Sequence, residues 1–157
     1  MSKTVVLGLD GSPASARAVP YARELAGPDG RIVAVHVRGL FLGRAGGQTV
    51  AANEDEIEAE VRRTVAEMTT AGTRAELKIV TSASGGPAHV LADLADREDA
   101  DVIVVGTRGH RQIAGLLLGS VTQRLLHVAP CPVLAVPPGV HEDDSEAVES
   151  TAVAGRA

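Results

Sequence analysis

The 157-residue chain is long enough to bury the core of one ordinary domain without a disulfide or a bound metal. Its formal net charge of -5, with no cluster of Lys and Arg, argues against nucleic acid or an anionic membrane surface as a partner. Aromatic residues make up 1% of the chain, so we expect an aliphatic core and no base-stacking platform for RNA.

Strand-like and helix-like segments alternate along the chain. The strands are mostly apolar at nearly every position, which is typical of parallel strands buried on both faces. Helix patterns follow them, and Ser12 with Pro13 gives the first helix a cap and a first turn. In chain order, the predicted segments are strand 4–9, helix 13–26, strand 32–37, helix 54–71, strand 75–81, helix 87–97, strand 101–106, helix 116–129 and strand 132–136.

Prolines set limits on several of these elements. Pro20 is expected to kink the first helix or to confine its regular part to one side, because proline lacks the N–H group that a helix interior requires. Pro130 should end the last helix for the same reason. Pro132 and Pro137 flank the final strand and indicate that it lies at an edge of the sheet.

Five strands that alternate with helices predict an α/β fold with an open, doubly wound parallel sheet, since parallel neighbours need crossover connections. Residues 39–53 have no clear period and three central glycines, so we expect a mobile loop there. Residues 139–157 are acidic and rich in small residues, and we expect a disordered tail. We therefore predict one folded domain over residues 1–138.

Ligands of an open parallel sheet bind beyond the carboxyl ends of the strands, beside the point where the strand order reverses. This rule selects residues 8–10 and the glycine-rich segment that follows the fourth strand. The glycines of that segment have the spacing Gly-x2-Gly-x9-Gly-Ser, with members Gly106, Gly109, Gly119 and Ser120.

The glycine pattern predicts an anion site. Gly106 and Gly109 would let backbone N–H groups approach phosphate oxygens and adopt positive φ. Gly119 and Ser120 would open a helix whose unpaired N–H groups and dipole attract a phosphate. The alternative is that these glycines only turn the chain between a strand and a helix. The pattern is neither a Walker A loop nor a Rossmann Gly-x-Gly-x-x-Gly, so it favours a mononucleotide loop of another kind.

The chain resembles the ATP-binding branch of the universal stress protein family over about residues 3–137. The resemblance rests on VVLGLDGSPAS at the first strand, AVHV in the second, and ADVIVVGTRG and GLLLGSVTQRLLHVAPCPVLAVPP near the end. It implies a Rossmann-like, adenine nucleotide alpha hydrolase-like sheet with strand order 3-2-1-4-5 and a nucleotide-binding domain over residues 1–138. It also implies a homodimer in which residues 133–136 pair with their own copy.

The same resemblance assigns residues to a bound ATP, expected with Mg2+. Gly8, Leu9 and Asp10 would lie beside the adenosine, and Val37 would offer backbone groups to the adenine. Asp10 also has a plainer interpretation as a turn residue, because Asp-Gly-Ser is good turn chemistry. The residues implied around the ribose and the phosphates are Gly106, Thr107, Arg108, Gly109, Gly119, Ser120 and Val121.

The function that the resemblance implies is that of an ATP-binding regulatory protein of the stress response, acting through a nucleotide-dependent dimer or partner surface. No catalytic base is evident, so we expect no enzyme, and slow ATP hydrolysis stays open. AMP or cyclic AMP in the same pocket is one alternative, and a nucleotide-free interaction module is another. Residues 107–110 also resemble the Thr-x-Gly-His element of nucleotidyltransferases, although that element follows an early strand in those enzymes.

The histidines and the cysteine give weaker indications of function. The histidines lack the spacing of a zinc site, and His36 is expected to be a buried histidine with satisfied hydrogen bonds. Cys131 is the single cysteine and is expected to serve packing. The chain shows no secretory signal pattern and no apolar run of about 20 residues, so we expect a cytoplasmic protein with no membrane partner.

Overall fold

The computed structural model describes residues 2–39, 41–42, 48–49, 53–82, 85–107 and 118–139. Five of its strands form one parallel sheet in the order β5-β2-β1-β6-β7. The elements are β1 (Thr4–Gly8), α1 (Pro13–Ala26), β2 (Arg31–Gly39), β3 (Phe41–Leu42), β4 (Gln48–Thr49), α2 (Glu54–Thr70), β5 (Arg74–Ser82), α3 (Gly86–Arg97), β6 (Val102–Gly106), α4 (Ser120–Val128) and β7 (Val133–Val136).

The sheet has the predicted doubly wound topology. Numbered by their order along the chain, its five strands stand in the order 3-2-1-4-5, so the predicted fold class is confirmed. β1 lies at the centre, with Val6 opposite Val33 of β2 on one side and opposite Ile103 of β6 on the other. β7 is an edge strand, as its flanking prolines predict.

Helices cover both faces of the sheet, which explains why the central strands are apolar at successive positions. Neighbouring residues of a strand point to opposite faces, and here each face meets a pair of helices. The face of α1 and α2 is filled by Val5, Leu7, Ala18, Ala22 and Val61, and the face of α3 and α4 by Val6, Val33, Leu91, Ile103 and Leu125.

The first helix begins as its sequence predicts. The Ser12 side chain accepts a hydrogen bond from the Ser15 N–H at 3.2 Å, and Pro13 occupies the first turn. Pro20 lies inside the helix, which continues to Ala26. Because Pro20 is exposed, water can satisfy the carbonyl group that loses its helical partner.

Two predicted boundaries need correction. β2 extends to Gly39, and two short strands, β3 and β4, pair antiparallel within the segment predicted as a loop, with Phe41 opposite Thr49. Phe and Thr favour extended backbone, which explains the pairing. α4 begins at Ser120 and not at residue 116, because Gly119 is its extended N-cap residue. Residues 40, 43–47 and 50–52 of the predicted loop, residues 116 and 117, and the tail beyond residue 139 lie outside the described residues.

Hydrogen bonds and ion pairs join the amino ends of the strands. The Thr4 N–H donates to a carboxylate oxygen of Asp101 at 2.8 Å, which connects β1 to the segment before β6. Glu98, at the end of α3, pairs with Arg31 of β2 at 2.8 Å and with Lys78 of β5. Among the helices that the structure describes, none has the length and apolar character needed to cross a membrane.

Candidate functional site

A crevice opens at the carboxyl ends of β1, β2 and β6, and it contains a cavity of about 340 Å³. This volume falls within the usual range of small-molecule sites, roughly 300–1,000 Å³. The order of the strands explains its place. From β1 the chain crosses to β2 on one side, and β6 lies on the other side, so the strand order reverses between β1 and β6.

The predicted site residues gather in this crevice wherever the structure describes them. They come from four elements or element ends that are far apart in sequence. Arg108 and Gly109 lie outside the described residues, as does His110. The predicted residues that line the cavity are Gly8, Leu9, Asp10, Val37, Gly106, Thr107, Gly119, Ser120 and Val121.

The N-terminus of α4 forms one wall of the cavity. Gly119 donates its N–H to the Thr107 carbonyl oxygen at 2.6 Å, so this group is already used to hold the segment before the helix. Thr122 fixes the same corner, since its hydroxyl donates to the Gly106 carbonyl oxygen at 3.0 Å. Ser120 and Val121 come next in the first turn, where N–H groups have no partner within the helix. Among the described residues, Ser120 and Val121 thus bring helix-start amides to the cavity wall, where they could donate to an anion.

Gly106 has a packing role that the amino-acid sequence alone did not predict. Its φ is not positive, so the prediction of a left-handed conformation at this residue is wrong. A Cβ atom at Gly106 would lie 2.7 Å from the Cβ of Ala14 and 2.8 Å from the backbone nitrogen of Ser15. Glycine is required because the first turn of α1 crosses the end of β6 at this point. Gly106 lines the cavity through its backbone and lets α1 pack closely.

Asp10 forms the predicted turn and also lines the cavity. Its carboxylate accepts a hydrogen bond from the Ser12 N–H at 2.9 Å, which is the turn chemistry of Asp-Gly-Ser. The same residue lines the cavity directly after β1. Leu9 is fixed beside it, because its N–H donates to the Val35 carbonyl oxygen at 2.9 Å. The Asp10 side chain is therefore held at the centre of the crevice.

His36 and Glu54 form a buried pair in the wall near β2. His36 is 3% exposed, and its Nδ1 lies 2.8 Å from the Leu9 carbonyl oxygen. Its Nε2 contacts Oε1 of Glu54, the first residue of α2. The structure thus shows His36 buried and hydrogen-bonded on both ring nitrogens. Among the described residues, no group of three His, Cys, Asp or Glu side chains is arranged to hold a metal ion.

Sequence reasoning missed the residues that α2 and α3 contribute to the cavity. The signal was available, because the same rule on carboxyl strand ends applies to β2 and β5, whose following helices begin at the crevice. The residues that line the cavity and that the sequence had not singled out as a site are Ser15, Val35, His36, Glu54, Ile57, Pro87, Leu91, Val105 and Thr122.

The fold and the crevice together define a doubly wound α/β domain with a cavity at its topological switch point. The chain belongs to the universal stress protein family, whose family profile matches residues 1–137. It is 33% identical over 151 residues to a universal stress protein of Mycobacterium tuberculosis strain H37Rv, a match that covers 85% of this chain and 95% of the relative. It is 34% identical over 140 residues to one from Thermus aquaticus, covering 87% and 99% of the two chains.

Solved structures share the fold. A crystal structure of a universal stress protein in complex with cyclic AMP is 30% identical, with a TM-score of 0.61, and the match covers 88% of this chain and 98% of that one. A universal stress protein family member from Burkholderia pseudomallei is 31% identical, with a TM-score of 0.63 over 86% of this chain and 96% of that one. The predicted family is confirmed.

Proposed function

We propose that this chain binds ATP in the crevice and acts as a regulatory protein of the cytoplasm in a stress response. The observation that carries the proposal is that two chemically different surfaces line the same cavity. The unpaired amides of Ser120 and Val121 lie on one side, and apolar side chains such as Val37, Ile57 and Leu91 lie in the rest. A nucleotide combines an anionic phosphate chain with a flat base whose ring faces are apolar.

The order of the strands supports a place for each part of the proposed nucleotide. α4 follows β6, Asp10 follows β1, and Val37 lies near the end of β2. Adjacent strands are about 4.8 Å apart, so the three places follow one another over roughly 10 Å. Phosphates at α4, a ribose at Asp10 and a base at β2 would occupy them in chemical order. The complex of a 30% identical family member with cyclic AMP supports a nucleotide in this crevice.

Mg2+ fits this site as an ion carried by the phosphates. Mg2+ keeps several waters and is usually held by one or two carboxylates together with phosphate oxygens. Asp10 lines the cavity and would supply such a carboxylate, directly or through water. When bound, the ion would neutralise part of the phosphate charge.

Ser120→Asp tests the phosphate end of the site. An acidic residue in the first turn of a helix interacts favourably with the helix dipole, so α4 should keep its stability. The added carboxylate would repel the phosphates, and we expect calorimetric affinity for MgATP to fall by at least about tenfold. Gln123→Glu is the matched control, because it adds the same charge one turn later, outside the cavity. Unchanged ATP affinity in Ser120→Asp would contradict the proposal.

Cyclic AMP or AMP in the same crevice is the second candidate, favoured by the cyclic AMP complex of the related structure. The two candidates differ in the number of phosphates that α4 must hold. Titration of ATP, AMP and cyclic AMP into the same protein separates them, because a triphosphate site should bind ATP at least about tenfold more tightly than either monophosphate. Equal or reversed affinities would assign the crevice to a monophosphate.

We further propose a binding role without dedicated catalysis. The cavity walls include carboxylates at Asp10 and Glu54, but the Asp10 carboxylate accepts from a backbone N–H and Glu54 contacts His36. One oxygen of each carboxylate is thus used to hold the site, so neither group is left wholly free to act as a general base. Phosphate release from MgATP should therefore be slow. Fast, saturable turnover, or pyrophosphate release with an acyl or nucleotide substrate, would instead favour an enzyme of the nucleotidyltransferase type.

The edge strand β7 is the proposed homodimer surface. The carbonyl oxygens of Pro132 and Val136 accept hydrogen bonds from Ile103 of β6 and from Thr107 just after it. The backbone groups of Val133 and Ala135 therefore face the open edge. Ala135→Pro removes one of these outward N–H groups without removing an inward one. We expect sedimentation to show a weakened dimer, whereas Ala135→Ser, which keeps the N–H, should remain dimeric. A dimer of equal strength in both variants would place the interface elsewhere.

A further inference from the structure

Glu54 is a buried carboxylate in the wall of a largely apolar cavity. It is 7% exposed, and it lines the crevice together with Ile57 of the next turn of α2. Glutamate side chains are almost never fully buried unless they are paired. Here Glu54 is paired with His36, whose Nε2 contacts Oε1 of Glu54. Oε2 has no hydrogen-bond partner among the described residues and is the oxygen that Glu54 can offer to a ligand.

The chemistry of the pair makes Oε2 an acceptor. The Leu9 carbonyl oxygen can only accept, so Nδ1 of His36 carries a hydrogen and donates to it. Contact between Nε2 and Oε1 then requires one proton between these two atoms. Whether that proton belongs to the imidazole or to the carboxyl group, Oε2 remains without a hydrogen. The cavity wall therefore presents an acceptor in either protonation state.

Glu54 lies at the far end of the crevice from the phosphate donors. It begins α2, which packs against β2 and β5, whereas Ser120 and Val121 follow β6. In the sheet, β1 lies between β2 and β6. A nucleotide with its phosphates at α4 and its ribose at Asp10 would direct its base towards β2 and Glu54.

We propose that Glu54 selects the base of the nucleotide by accepting a hydrogen bond from the exocyclic amino group of a 6-aminopurine. This inference rests on the proposed nucleotide binding and adds a rule of specificity to it. A 6-oxopurine in the same orientation would place its O6 acceptor against Oε2, and both acceptors would lose their hydrogen bonds to water. Adenine nucleotides are thus preferred over inosine and guanine nucleotides.

A guanine that rotates to face Glu54 with its donors would recover only part of the lost hydrogen bonding. A carboxylate can recognise guanine through its N1–H and 2-amino groups, but that pairing needs two accepting oxygens. Oε1 of Glu54 already contacts His36, so only one oxygen is left. A rotated guanine could therefore form only one of the two hydrogen bonds of that pairing, and its second donor would find no partner at Glu54.

The first experiment uses the wild-type chain and four triphosphates, each with Mg2+: ATP, ITP, GTP and purine riboside triphosphate, which lacks the 6-amino group. Calorimetry should show ATP binding about tenfold or more tightly than each of the other three, as expected for one hydrogen bond to a buried charged or polar group. Equal affinity for ATP and purine riboside triphosphate would overturn the inference.

Variants then connect this selectivity to Glu54. Glu54→Met keeps the length of the side chain and removes both oxygens, so the ratio of ATP to ITP affinity should fall to within about threefold. Glu54→Gln can donate its amide N–H to His36 and leave its carbonyl oxygen for the base, so it should restore a preference for ATP. Glu58→Met is the matched control, because Glu58 pairs with Arg38 and Arg62 one turn along α2 and does not line the cavity.

The outcomes separate this inference from the proposed function. A wild-type chain that binds none of the four triphosphates contradicts both. A chain that binds ATP but keeps its full ATP preference in Glu54→Met contradicts only the role of Glu54. If circular dichroism shows that Glu54→Met does not fold, the comparison of ATP with purine riboside triphosphate on the wild-type chain decides the matter.

Discussion

The two ends of the parallel sheet are built in opposite ways. At the amino end, loops and strands are joined by direct contacts: Asp101 accepts from the Thr4 N–H at 2.8 Å, and the Arg31 N–H donates to the Lys3 carbonyl oxygen at 2.9 Å. At the carboxyl end, the elements separate around a cavity of about 340 Å³. There the first amides of α4 remain available to a ligand.

This contrast assigns stability and binding to different ends of one scaffold. A change at the amino end should alter the free energy of unfolding and leave nucleotide affinity intact. A change at the carboxyl end should alter nucleotide affinity and leave the free energy of unfolding intact. Each variant below is therefore measured twice, by thermal or denaturant unfolding and by calorimetric titration with MgATP.

The largest effect is expected at Gly30, which lies between the end of α1 and the start of β2. A Cβ atom there would lie 2.1 Å from the Ala26 carbonyl oxygen and 2.5 Å from that of Lys3. Both are backbone atoms, so Gly30→Ala should destabilise the fold by about 3 kcal/mol and lower the melting temperature by roughly 10 °C. The folded fraction should still bind MgATP.

Gly119→Ala is the matched change at the carboxyl end. Gly119 has φ -69° and ψ 160°, values that alanine adopts without strain, so its cost in stability should be less than about 1 kcal/mol. Its methyl group would stand at the phosphate wall, and we expect weaker MgATP binding. If Gly30→Ala were neutral in unfolding, or if Gly119→Ala destabilised the fold more, the contrast between the two ends would be wrong.

A smaller, pH-dependent effect is expected at Glu98. The hydrogen bond from Lys78, together with that from Arg31, lowers the pKa of Glu98 from its ordinary value of 4.5. Because the folded state has the lower pKa, the stabilisation is fully present above pH 4.5 and is lost as the pH falls through the folded-state pKa. These side chains are partly exposed, so we expect less than about 1 kcal/mol.

Glu98→Gln measures that contribution. The variant should be less stable than the wild-type chain at pH 7, and the difference should shrink as the pH is lowered below the ordinary glutamate pKa of 4.5. Glu60→Gln serves as the control, because Glu60 is half exposed and its contact with Arg63 is 4.0 Å long. A difference between wild type and Glu98→Gln that stays constant down to pH 3 would contradict the assigned ion pairs.

The fold was predictable from the sequence because its strongest signals are local. Strands such as residues 102–106 are apolar at every position, and only a sheet covered on both faces buries such a pattern. Ser12 and Pro13 defined the start of α1 through short-range capping chemistry. The pairing of Phe41 with Thr49 was missed, since two-residue strands leave almost no periodic signal.

The candidate site was predictable only in part, because its remaining features depend on distant packing. The role of Gly106 is set by Ala14 and Ser15, which approach it from another element. In the sequence, Glu54 is one of three acidic residues in the first turn of a predicted surface helix. Its burial against His36 follows from the way α2 packs on β2, and no local pattern encodes that contact.

The most direct test of the central claim is amide NMR of the full chain during titration with MgATP. We expect saturable chemical-shift changes that are largest at the amides of Ser120 and Val121 and clear at those of Leu9 and Val37. The amide of Thr4, at the amino end of the sheet, should not move. Shifts centred on Thr4 and its neighbours, or no shifts at saturating MgATP, would contradict a nucleotide site at the carboxyl end of the sheet.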